Sequence, residues 1–357
     1  MTGAATLLVV LRQPERLAVL SAPEQEFTLR LARRAGLLGP LQHGLERSGL
    51  LETLPAPIRD GLEGGRVVAD SRERAILWEV DRLERAFFGT GLPVILLKGA
   101  AYAALGLPLA RGRLMADIDI LLPRADLPQA ERALQKHGWL TATSDPYDQH
   151  YYREWMHELP PMRHCHRPTE LDIHHAILPR TGRLQPDSAL LLQEVIPLPG
   201  RPGVWTLAPV DMVLHAMVQL FHDSDFGANA LRDLLDLDGL LRHYGPTPGF
   251  GDRLLARGRE LNLTAPLHAA LYFLERFCQT PVPGHEPPGW LLRGLITLAM
   301  LPDHPDPRRD GTSVRLARWC LYVRSHWLRM PPGLLVTHLT RKGLRRWKQH
   351  VWHRRGV

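Results

Sequence analysis

Asp117 and Asp119 stand one residue apart in RLMADIDILL, residues 113–122, inside a largely apolar run. Residues two apart on a strand project from the same face, so the two carboxylates lie side by side while Ile118 and Ile120 turn toward a core. Two ionised carboxylates so placed repel each other, and burial raises their pKa unless a cation intervenes. A divalent ion removes the conflict: Mg²⁺, or Mn²⁺ in its place, takes protein carboxylates together with substrate phosphates. A pair of such ions can activate an attacking oxygen and neutralise the leaving group. Asp172 fits the same scheme, as an acidic residue between Leu171 and Ile173 in ELDIHHAI. If its strand pairs beside the first, three carboxylates converge, with Glu170 and His174 on the same face. The competing reading is plain: Asp-x-Asp is a short pattern, common on solvated edge strands and turns.

The elements that must hold these residues follow from periodicity. PVILLKG is a short apolar run closed by glycine and reads as a buried strand; AAYAALG is a helix candidate, and LMADIDILLP is a second strand ended by Pro123. LPQAERALQKHGW reads as a helix running to Gly138, and TELDIHHAIL shows strand alternation again. This order predicts an α+β fold, with a small mixed β-sheet core over 91–200. A helical region over 1–90 precedes it and another over 201–330 follows, after a Pro- and Gly-rich loop, IPLPGRPGVW. In the second helical region, Arg232 and Asp236 are four apart on one helix face and are expected to pair.

The 357 residues, 45% hydrophobic and 23% charged, suit a globular chain of two or three domains. No stretch approaches the ~18 continuous apolar residues of a membrane span. ATLLVVL, near the N-terminus, has no basic segment before it and no small-residue cleavage site behind it, so it reads as structure rather than a signal peptide. Cys165, Cys278 and Cys320 form no CxxC pair, which leads to the expectation of a reduced, cytoplasmic protein. In HCHRPTELDIHH, residues His164, Cys165, His166, His174 and His175 invite a zinc reading, but their spacing matches no standard ligand pattern. A loop plus one supporting histidine is the expected arrangement there.

The net charge of +7 is local. Eleven of the 44 basic residues fall between Gly311 and Val357, where no acidic residue occurs, so the rest of the chain carries 33 basic against 37 acidic groups. The tail, 331–357, interleaves Leu339, Leu344, Trp347 and Val351 with arginine and lysine. Such a segment suits an anionic membrane surface, placing the protein at the inner membrane face, or an acidic partner; a packed terminal helix is the structural alternative.

LLKGAAYAALG, RLMADIDILL and LDIHH together resemble the DNA polymerase beta-like nucleotidyltransferase superfamily. They resemble more closely a bacterial group of uncharacterised nucleotidyltransferases with a lysine-glycine turn, an Arg-x-x-x-Asp-x-Asp strand and a later Asp-x-His strand. Lys98 and Gly99 match the turn; Arg113, Asp117 and Asp119 match the second element; Asp172 and His174 match the third. The resemblance implies transfer of a nucleoside monophosphate from an NTP to a hydroxyl acceptor, with release of pyrophosphate. It implies Asp117, Asp119 and Asp172 as catalytic metal ligands, Lys98 and Arg113 as triphosphate cations, and the backbone amides of Gly99 and Ala100 as phosphate donors. Each cation has the alternative of a structural ion pair with the acidic cluster. The wider superfamily carries Gly-Ser where this chain has Gly99-Ala100, and its spacing to the acidic pair is shorter. The bacterial group also has a similar His and Arg-x-x-x-Asp in its later helices, which makes His222, Arg232 and Asp236, with His174, candidates for the cleft. Two rivals accompany the enzyme reading: a catalytically weak or inactive protein that senses nucleotide, and an RNA-binding protein led by the basic tail, against which the slightly acidic remainder argues.

Overall fold

The computed structural model describes residues 3–224 and 226–335. Its centre is a seven-stranded mixed sheet made of β1 (Val94–Leu96), β2 (Asp117–Leu121), β3 (Trp139–Thr141), β4 (Met162–His164), β5 (Glu170–His174), β6 (Ile196–Pro197) and β7 (Val204–Thr206). The spatial order is β3-β4-β5-β2-β1-β7-β6. β2 runs parallel to β5 and β1 parallel to β7, while the remaining pairs are antiparallel. The architecture is the α+β class expected, with helices before and after the sheet. IPLPGRPGVW differs from its expected loop: its ends pair as β6 and β7, and β7 lies against β1. The turn residues between them hid a hairpin whose partner is far away in sequence.

Burial explains why the strands hold their place. Ile118, Ile120, Leu121 and Leu171 are fully buried, and Val94, Ile95 and Leu96 nearly so. Each such side chain contributes about 1.5–3 kcal/mol on leaving water, so β2 is anchored by its isoleucines whatever its aspartates prefer.

The helices before the sheet brace the loop that leads into β2. ATLLVVL lies within helix Gly3–Arg12. The stretch from Glu24 to Leu50 folds as two helices, Ala22–Arg34 and Leu38–Arg47, and helix Ala56–Phe87 follows. Gly39 and Gly112 meet backbone to backbone; a Cβ on Gly112, where φ is +73°, would stand 2.7 Å from Gly39 O. That approach pins the loop carrying Arg113 against helix Leu38–Arg47. The later helices include Pro209–Val218, Ala230–Tyr244, Phe250–Glu260, Thr264–Cys278, Trp290–Ala299 and Thr312–Arg329. One apolar core runs through both helical regions and the sheet, from Leu7 to Leu321. Most of the basic tail expected to meet a membrane, 336–357, lies outside the described residues. Among the described residues no helix is long and apolar enough to cross a membrane.

Candidate active site

β2 and β5 pair in parallel with Asp119 opposite Asp172 and Asp117 opposite Glu170. The register puts all three aspartates on one side of two neighbouring strands. Asp117 is exposed at the start of β2, Asp119 is buried and Asp172 is half-buried. Glu170, expected to support them, is instead drawn to Arg163, whose Nε donates to its carboxylate at 2.8 Å.

Lys98 enters from the turn after β1. Its φ of +46° lies in the left-handed region, an uncommon conformation for a side chain of this size. The Lys98 ammonium donates to Asp119 Oδ1 at 2.7 Å, and His174 Nε2 meets the same oxygen at 2.8 Å. Burial would raise the Asp119 pKa, but Lys98 and His174 outweigh it and hold this carboxyl well below the usual range. Burial likewise opposes the Lys98 charge, and Asp119 with Glu158 and Asp117 restores it, leaving its pKa raised.

Asp117 and Asp172 lack such relief. Although Asp117 is exposed overall, partial desolvation of its carboxyl among the cleft residues and the Asp119 charge raise its pKa. Burial, followed by Asp119, Glu158 and Asp117, pushes Asp172 up to about 8. Asp172 Oδ1 is buried without a hydrogen-bond partner. A buried acceptor left unmatched is costly, and two acids held above their usual pKa beside an ionised third form a donor set short of positive charge. These residues therefore fit a divalent cation with oxygen ligands.

Gly99 and Arg113 explain each other. A Cβ on Gly99 would run into Arg113 Nη1 and stand 3.0 Å from Met115 Cγ, so glycine lets the guanidinium lie beneath the turn. Arg113 Nε donates to both Asp236 oxygens, at 2.9 and 3.0 Å, and its Nη2 pairs with Asp236 at 2.8 Å. The first helical turn, opening at Lys98, leaves early backbone amides outside the helical ladder, while the Ala100 side chain is buried in the core.

Lys98, Gly99, Arg113, Asp117 and Asp119 line a cleft of ≈ 170 Å³ together with Tyr102, Ala216, Gln219, Arg232, Asp233 and Asp236, whereas Asp172 and Ala100 are not among its lining residues. Helix Ala230–Tyr244 brings Arg232 and Asp236 to this wall, but they do not pair with each other. Arg232 bonds Asp233 at 2.8 Å, and Asp236 is taken by Arg113, 123 positions away. A buried partner in good geometry outcompetes a neighbour one turn along. His222 lies elsewhere: it is absent from the cleft lining and buried near Arg324, with burial and that arginine pushing its pKa down to about 4. Tyr102, Gln219 and Asp233 join the wall without any sequence signal that singled them out.

His174 stands behind Asp119 rather than in the open cleft. Its ring stacks on His157 at 5.3 Å between centroids and meets the edge of His215 at 6.4 Å. His157 was not distinguishable in the sequence, since it lies in an irregular stretch 17 residues before His174. His164 belongs to the far end of β4, where it contacts His137 O and Arg167.

A mixed sheet thus carries three carboxylates on adjacent strands beside a lysine-glycine turn. A family model described as uncharacterised nucleotidyltransferase matches residues 21–279, and the chain belongs to that family. No curated protein and no solved structure matches the chain.

Proposed function

We propose that this protein transfers a nucleoside monophosphate from an NTP to a hydroxyl acceptor and releases pyrophosphate, with Asp117, Asp119 and Asp172 as its metal-binding carboxylates. The observation that carries this reading is the convergence of these three residues, with Asp172 Oδ1 buried and unpartnered beside Asp119. Mg²⁺ or Mn²⁺ bound there would neutralise triphosphate charge and lower the barrier to attack at the α-phosphorus. The cleft lining alone holds four carboxylates against three cations, a balance that would otherwise repel a triphosphate.

The chain's own residues take the remaining roles. Lys98 holds Asp119 in place and meets phosphate oxygens from the opposite side of the turn. The amides of Gly99 and Ala100 receive a phosphate as backbone donors, which removes the need for the serine hydroxyl of the wider superfamily. Arg113 locks Asp236, and through it the later helices, against the turn. Asp172 helps to deprotonate the attacking hydroxyl. The cleft is smaller than the ~300–1,000 Å³ of a complete ligand pocket, so it encloses the phosphates and leaves sugar and base at its mouth.

The experiment is label transfer: each of four α-labelled NTPs with Mg²⁺, offered to cell extract and to simple hydroxyl acceptors. Label should move to an acceptor with wild type and not with Asp117→Asn or Asp119→Asn. One observation favours a second reading, a protein that binds nucleotide without transferring it: Asp119 Oδ1 already receives both Lys98 and His174. Saturable NTP binding with no label moved would select that reading.

A further inference from the structure

A second cluster lies on the side of the His174 ring opposite Asp119, and its chemistry differs. Glu158 bridges directly opposite His174 in an antiparallel pairing at the end of β5. His175 N donates to His157 O at 2.8 Å, and Leu159 N donates to Ile173 O at 2.9 Å. These bonds fix His157 and Glu158 against His174 by backbone alone, although no strand pattern announces the segment.

The side chains then converge. Glu158 Oε2 lies 3.7 Å from His174 Nδ1 and 4.0 Å from His157 Nε2. One ligand atom from each of the three residues falls within 4.8 Å of the others. Both histidines are buried, and His174 Nδ1, the nitrogen that faces Glu158, has no hydrogen-bond partner. His174 Nε2 is held by Asp119, which leaves Nδ1 as the nitrogen turned toward Glu158. Glu158 retains 24% side-chain exposure, enough for an ion to enter and to keep a water.

We propose that His157, Glu158 and His174 bind one first-row transition ion of the Zn²⁺ type, and that the bound ion fixes His174 as the hydrogen-bond donor that positions Asp119. Two imidazoles and one carboxylate suit a borderline ion, whereas Mg²⁺ demands oxygen ligands, so this site and the aspartate site select different metals. Asp119 acts toward it as the outer carboxylate of a carboxylate–histidine–metal arrangement. Lys98, on the other side of Asp119, opposes a second cation, and the charges of Asp119 and Glu158 offset it. His174 is here a positioning residue.

The test is a CoCl₂ titration of the full chain after chelation, read by visible absorption and by equilibrium dialysis, with no nucleotide present. Wild type should bind one Co²⁺ with a visible band that ZnCl₂ abolishes. His157→Ala and Glu158→Gln should each weaken binding at least about 10-fold, while Asp117→Asn should leave it within about twofold. Glu158→Gln is the fold-safe variant because its side chain is part-exposed; far-UV circular dichroism and melting of the metal-free proteins check both. The proposal is overturned by no saturable band in wild type or by wild-type affinity in Glu158→Gln. It is also overturned by loss of binding in Asp117→Asn, which would place the ion among the aspartates. Because the readout is Co²⁺ alone, failure here and failure of nucleotidyl transfer are separate results.

Discussion

Two buried charge clusters in this protein look alike in kind and differ in completeness. At the periphery, Asp310 receives Arg34 through two bonds of 2.6 Å and Arg318 through a third of 2.5 Å, and it also caps His304 N at 3.2 Å. Its carboxyl is buried, yet the two guanidiniums outweigh that burial and hold its pKa below the ordinary value. The cluster is closed and joins helix Ala22–Arg34 to the start of helix Thr312–Arg329. At the cleft, Asp119 is similarly satisfied by Lys98 and His174, but Asp172 beside it keeps an unpartnered oxygen and a pKa of about 8. A closed cluster serves stability; an open one stores a cost that a ligand can relieve.

Breaking the closed cluster should give the largest effect. Asp310→Ala leaves two part-buried guanidiniums without their carboxylate and should cost about 3 kcal/mol of stability, measured by urea unfolding, while leaving transfer per folded molecule unchanged. A matching loss of activity in fully folded protein would erase the distinction between the clusters. Asp119→Asn should do the reverse. Transfer should fall by about 10²–10³ in kcat, with NTP and Mg²⁺ no longer raising the melting temperature.

The two clusters should also respond to pH with opposite signs. The Asp310 pKa is depressed, so its contribution is present above the unfolded carboxyl value, near 4, and is lost as pH falls. Asp172 is raised: the folded metal-free protein holds its proton up to about pH 8, and the unfolded chain releases it near 4. Stability of the metal-free protein should therefore decline between those values as pH rises and flatten above 8. Since a bound ion displaces that proton, Mg²⁺ affinity should rise with pH by up to about tenfold per unit below 8 and then level off. Asp172→Asn should abolish both trends in melts and Mg²⁺ titrations. A gentler change is Gly99→Ala, which forces Arg113 off its seat beneath the turn. Moving a flexible guanidinium should cost about 0.5–1.5 kcal/mol, read as a few-fold rise in the KM for NTP with kcat nearly kept.

The sequence exposed the open cluster better than the closed one, for physical reasons. β1 was legible as an unbroken apolar run closed by glycine, and β2 and β5 because an aspartate alternating with apolar residues is conspicuous. β3 and β4 span three residues each, too short for periodicity to show. β6 and β7 hid behind turn residues, and β7 reaches its place through a parallel pairing with β1 that no local signal encodes. Partner choice was equally opaque. Arg232 and Asp236 looked paired by helical spacing, yet Asp236 belongs to Arg113, and His157 reaches His174 only through a bridge outside the regular strands. Asp310 and Arg34 are 276 positions apart, and nothing in either neighbourhood names the other.

The most direct test compares wild type and Asp172→Asn by thermal melting at pH 7, with and without Mg²⁺ and NTP. If Asp172 is the unsatisfied member of a metal-binding triad, the substitution should raise the metal-free melting temperature by about 2–4 °C and remove the further stabilisation that Mg²⁺ and NTP give to wild type. A variant no more stable than wild type when metal-free, and stabilised equally by Mg²⁺ and NTP, would contradict the account.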